Sequence, residues 1–129
     1  MSTNRSETRS VTVAAPPSTV LDYVGDARRL PEWAPAFARA VRPAGEHWLV
    51  DTGAGEAEID VRVSRERGTV DIVSTADSRG VFTRVIANGD GSEYVFTQFF
   101  PAGTSEDAVA RQVAVVEGEL ATVRAACEA

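Results

Sequence analysis

The chain has 129 residues, enough for a single domain with a buried core. Its 43% hydrophobic and 25% charged residues are ordinary for a globular protein. A formal net charge of −6 argues against a nucleic-acid binder, which needs a clustered basic face, and against a protein held on anionic membranes by charge.

All 13 basic residues are arginine, so Schiff-base chemistry and a lysine-dependent phosphate loop are excluded. One cysteine, Cys127, and one histidine, His47, rule out an internal disulfide and a Cys/His zinc site within one chain. There is no dinucleotide fingerprint and no Gly-x-Ser-x-Gly elbow, so neither a metal nor a nucleotide cofactor is expected. No apolar run approaches the ~20 residues of a membrane span, and Met1–Thr8 is polar. The expectation is a cytoplasmic protein without membrane insertion: residues 1–7 a flexible tail, residues 8–129 one domain.

Arg9–Val13 has strand composition, and Ala14–Pro17 stops it. Pro17 suits a first helical turn, and Val20, Leu21 and Val24 follow at helical spacing until Gly25. Asp26 can cap a second short helix through Leu30, which Pro31–Pro35 would break. Strands then come in series: Ala38–Val41, His47–Thr52, Glu56–Val63, Thr69–Thr75, Val81–Ala87 and Ser92–Phe100. Glu56–Val63 alternates polar and apolar residues cleanly, giving one wet and one buried face. Asn88–Gly91 between the last two is a hairpin signal. Pairing Ala87 with Ser92 sets Val85 against Tyr94, Thr83 against Phe96 and Val81 against Gln98. Glu93 and Arg84 mark the opposite side as wet, so Tyr94, Phe96 and Gln98 are expected on the inner face; a one-residue slip would invert this.

The last segment reads as the longest helix. Thr104 or Ser105 caps it, and Glu106 and Asp107 complement the helix dipole. Val109, Val113, Val116, Leu120, Val123 and Cys127 form one apolar stripe, with Gly118 implying either a bend or a close neighbour. Such a stripe must be buried, and the large surface available is the concave face of the sheet. The fold class is therefore α+β: a curved antiparallel sheet wrapped around a long C-terminal helix, with two short helices after the first strand.

A cavity between sheet and helix would be lined by Trp33, Trp48, Val50, Thr52, Ile59, Val61, Thr83, Val85, Phe96, Val109, Gln112, Val113, Val116 and Leu120. Tyr94 and Gln98 are candidate catalytic groups, since a few placed hydrogen bonds in a dry pocket polarise a carbonyl. The competing reading is that these polar groups satisfy one another. His47 is the one side chain with an ordinary pKa near neutrality. It reads either as a half-exposed strand residue or as a general base at the pocket. Phe82, Ile86, Val95 and Phe99 make the outer face of the last hairpin more apolar than a free surface needs, which leaves room for a homodimer through the sheet.

Several segments in this order resemble a known family: Ala15–Val20, Leu30–Trp33, His47–Thr52, Gly68–Asp71, Ala87–Thr97 and Val116–Leu120. Over residues 9–128 the chain is similar to the START/birch-allergen-like (SRPBCC) superfamily, in particular to small bacterial polyketide cyclase/dehydrase and lipid transport proteins. The resemblance implies the helix-grip fold and a hydrophobic molecule held between sheet and helix. The resemblance implies a histidine in many relatives after the aspartate of the Val–Asp pair, where this chain has Ile72. Three readings stay open: a carrier of a small hydrophobic molecule, a polyketide cyclase, aromatase or dehydratase without metal or nucleotide, and an interaction module whose cavity is filled by side chains.

Overall fold

In the computed structural model, which describes all 129 residues, the first strand pairs with the last. Strand β1 (Arg5–Val13) lies antiparallel to β7 (Gly91–Phe100). Between them the chain runs through α1 (Pro17–Val24), a 3-10 turn (Ala27–Arg29) and α2 (Leu30–Trp33) to the far edge of the sheet. It returns as a meander: β2 (Ala40–Ala44), β3 (His47–Asp51), β4 (Glu56–Ser64), β5 (Thr69–Ser74) and β6 (Gly80–Asn88). The seven strands form one sheet in the order β1-β7-β6-β5-β4-β3-β2, and α3 (Glu106–Glu128) closes the chain.

The hairpin has the register the sequence implies, with Ala87 opposite Ser92 and Val81 opposite Gln98. Its turn places Gly89 at φ 58°, which a glycine adopts without penalty. Tyr94 and Phe96 are buried on the inner face, while Phe82, Ile86 and Phe99 stay 37%, 40% and 48% exposed on the outer one. Gly68, at φ 72°, turns the chain into β5. A Cβ there would stand 2.5 Å from the Val85 carbonyl oxygen, so only glycine lets the two strands meet.

Four local expectations are corrected. The first strand begins at Arg5, because the ladder with β7 continues until Arg5 faces Phe100; only residues 1–4 precede it. Arg5 and Arg9 both pair with Glu7, and Arg5 also pairs with Glu106, which keeps this polar stretch in place at a sheet edge. Pro31 does not break the second helix but lies in the first turn of α2, where its missing N–H has no partner to lose. Strand β2 starts two residues later than expected, since Ala38 is fully buried in the core before the pairing begins. Gly118 is exposed on α3, and a Cβ there would meet open space, so no close neighbour explains it.

Ser105, not Thr104, caps α3: its hydroxyl accepts from the Ala108 amide at 3.1 Å. The helix buries Val109, Val116, Leu120, Val123 and Cys127. It packs against β1 at one edge of the sheet and against α1 and α2. The core gathers Val13, Val20, Leu21, Leu30 and Trp33 with the inner faces of the strands. This placement leaves space between α3 and the middle of the sheet.

Candidate functional site

That space opens into a cavity of about 820 Å³ that also runs past the ends of β6 and β7, where Phe82, Phe99, Phe100 and Pro101 border it. Its floor is the inner face of the sheet: Ala57 and Ile59 from β4, Ile72 and Ser74 from β5, Val81 from β6, and Phe96 and Gln98 from β7. Leu30 and Trp33 of α2, with Ala34 and Phe37 just beyond, form one wall, and Gln112 and Glu119 of α3 form another. Asp77, Ser78 and Arg79, in the turn between β5 and β6, also line it. The volume lies within the range of small-molecule sites; 12 of the 22 lining residues are hydrophobic, and eight carry polar or charged side chains.

Three sets among these polar groups bear on the chemistry. Gln112 Nε2 donates to Gln98 Oε1 at 3.3 Å, which joins helix to sheet by an amide pair. Arg79 and Asp77 pair with each other at 3.5 Å and are both exposed. Glu119 is different. It is 9% exposed and forms neither an ion pair nor a hydrogen bond with another protein group. Burial pushes its carboxyl up to about 7, so near neutrality it passes between acid and carboxylate.

Trp33, 2% exposed, meets Tyr94 edge to face, with ring centroids 6.4 Å apart. Neither the Trp33 indole N–H nor the Tyr94 hydroxyl has a hydrogen-bond partner. Burial raises the Tyr94 phenol well above its ordinary range, so it stays neutral.

Of the residues expected at the cavity, Trp33, Ile59, Phe96, Gln98 and Gln112 line it. The others do not. Val50, Val85, Tyr94, Val116 and Leu120 belong to the packed core. Val109 is likewise buried. Val113 is half-buried on α3 and also stands outside the lining. Leu120 also borders a separate groove of about 390 Å³ between β1 and α3, beside Arg9 and Arg124. Val61 and Trp48 pack at the margin of the core, and the Arg28 guanidinium lies 4.9 Å above the Trp48 ring. The Thr83 hydroxyl donates to the Val70 carbonyl oxygen at 2.7 Å, holding β6 to β5. The Thr52 hydroxyl donates to the Gly55 carbonyl oxygen at 3.0 Å and so serves the turn between β3 and β4.

His47 is a clear correction. It starts β3 with its side chain on the face opposite Trp48 and Val50, and its Nδ1 pairs with Asp60. That hydrogen bond raises the His47 pKa and lowers that of Asp60. A base on the convex face cannot reach a molecule in the concave one.

Glu119 is the site residue that the sequence pattern hides. The stripe read from Val116 to Leu120 to Val123 steps over it. Yet it lies three residues beyond Val116 and seven beyond Gln112, so it shares their side of the helix. Ile72 lines the cavity as an apolar wall.

No set of three His, Cys, Asp or Glu side chains comes together to hold a metal ion, and no helix is long and apolar enough to cross a membrane. No curated protein matches the sequence. Solved structures do match the fold. The Aha1 dimer from Colwellia psychrerythraea superposes with a TM-score of 0.74 at 12% identity, covering 96% of this chain and 96% of its own. XoxI from Bacillus cereus gives 0.71 at 15% identity and 94% of each chain. A START superfamily protein from Mycobacterium smegmatis gives 0.68 at 13% identity and 92% of each. At such identities these likenesses concern the fold alone. A sequence model of the polyketide cyclase/dehydrase and lipid transport family matches residues 5–128, from the first residue of β1 to the last of α3, and the chain therefore belongs to that family.

Proposed function

We propose that the protein binds a small hydrophobic molecule in the cavity between its sheet and its C-terminal helix. The observation that carries this reading is the cavity itself, about 820 Å³ with walls such as Ile59, Ile72, Trp33 and Phe96. The family supports it, because its name covers both lipid transport and polyketide chemistry. A filled-cavity interaction module has less support, since Phe96 and Trp33 border the space without occupying it.

A second reading, a cyclase or dehydratase acting on a polyketide-like substrate, is favoured by one observation. Glu119 and the Gln98–Gln112 pair put a proton-exchanging group and hydrogen-bonding amides beside the apolar walls of Trp33, Ile72 and Phe96. It requires that a molecule carried by the native protein be converted, and that Glu119→Gln slow the conversion while binding is retained.

Titration with Nile red, a neutral apolar fluorophore, tests the binding reading. The expected result is a blue-shifted, saturable emission that the double variant Ala57→Trp with Ile72→Trp, which narrows the cavity from the sheet side, weakens while the circular dichroism is unchanged. No saturable binding, or equal binding by the variant, overturns it.

A further inference from the structure

We propose that the molecule the cavity selects is a hydrophobic amine, whose ammonium is held by the Glu119 carboxylate while its apolar body lies against Trp33, Phe96 and Ile72. The proposal rests on the reading of the cavity as a binding site and adds the chemistry of the ligand's polar end.

The argument starts from an imbalance of charge. Glu119 is nine-tenths buried, lines the cavity, and has no cation beside it although the chain contains 13 arginines. A buried carboxylate without a partner is strongly disfavoured, and proteins ordinarily supply an Arg or a set of donors. The one arginine that lines the cavity, Arg79, already pairs with Asp77. The Gln112 amide, seven residues back on the same side of the helix, is turned to Gln98, and the Thr122 hydroxyl is spent on the Gly118 carbonyl oxygen. The space beside Glu119 is therefore complementary to a cationic hydrogen-bond donor.

The remaining walls fit the same ligand. The faces of Trp33 and Phe96 carry partial negative charge and attract a cation while accepting an apolar chain. A fatty acid would set its carboxylate against Glu119 with a single, already paired arginine to offset it. A neutral alcohol would offer Glu119 one uncharged donor and leave its charge unbalanced, a weaker partner than an ammonium.

The other titratable groups do not compete for this role. Tyr94 on β7 and Cys127 further along α3 are both kept neutral by burial. The turn between β5 and β6 contributes the mutually paired Asp77 and Arg79, and α2 contributes Leu30 and Trp33, which do not titrate. Asn4, before β1, is uncharged. Burial alone, with no neighbouring charge, raises the Glu119 carboxyl to about 7. An ammonium binds the ionised form, so amine affinity should rise as the pH passes upward through that value.

The test is competition against bound Nile red by decylamine, decanol and decanoate, which share one chain and differ in headgroup. Decylamine should displace the probe at least about tenfold better than decanol at about pH 8, and decanoate worst. The advantage should shrink below about pH 6. In Glu119→Gln, which keeps shape and removes charge, amine and alcohol should come within about threefold. Equal displacement by all three, preference for decanoate, or an amine preference that survives Glu119→Gln overturns the amine reading while the cavity reading stands. If Nile red itself fails to bind, the cavity reading fails and this proposal falls with it. Should the variant fold poorly, the pH dependence of the unmodified protein decides the same question: an amine advantage that does not grow with pH overturns the assignment.

Discussion

Glu119 ties one side chain to a property of the whole protein. Its carboxyl releases a proton near 4.5 in the unfolded chain and near 7 in the folded one. Between those values the folded state binds more protons, so stability falls as pH rises. The contribution is full below about 4.5 and gone above about 7. His47, also raised by folding, adds a change of the same sign, whereas Asp60, lowered, acts only in acid. Melting temperatures taken from about pH 5 to about pH 8 should therefore decline more steeply in the unmodified protein than in Glu119→Gln, which keeps the His47 part. Parallel curves would remove Glu119 as the source. Tyr94 makes the opposite case. Its hydroxyl is fully buried without a partner, and such a group costs roughly 1–3 kcal/mol. Tyr94→Phe should leave the melting temperature unchanged or raise it. A loss of more than about 1 kcal/mol would mean that the hydroxyl has a partner.

At the scale of the elements, local chemistry decided most outcomes. The Asn88–Gly91 turn fixed the register of β6 on β7, and with it which side chains face inward. Ser105, Glu106 and Asp107 started α3 where an N-terminal cap and a dipole favour it. Gly118 is the exception: an exposed glycine in the middle of a helix of 23 residues, with nothing near it. Gly118→Ala should stabilise the protein by about 0.5–1 kcal/mol, seen as a higher denaturation midpoint with an unchanged slope. A lower midpoint would show that the helix needs to bend there. Residues of Ala38–Val41 were harder to read, because a short segment without alternation carries no period, and Ala38 is buried before the strand begins.

At the scale of the molecule, the strand order and the cavity have one origin. Pairing β1 with β7 brings the chain's first and last strands together, and α3 leans on β1, α1 and α2. The middle of the sheet is left uncovered by the helix, and the cavity forms over it. The alternation of Glu56–Val63, the Asn–Gly turn and the valine stripe of α3 determined the α+β class, the inner face and the helix that covers it, because each is a period or a turn encoded by neighbouring residues. Which inward side chains touch a ligand space and which touch only each other was decided by tertiary structure. Val85 and Ile72 both sit on the inner face and in the core, yet Ile72 also lines the cavity and Val85 does not. His47 and Glu119 changed places as candidates for the same reason. A strand's parity sent the histidine to the convex face and into a pair with Asp60, and the lean of α3 brought a carboxyl with no partner to the cavity wall.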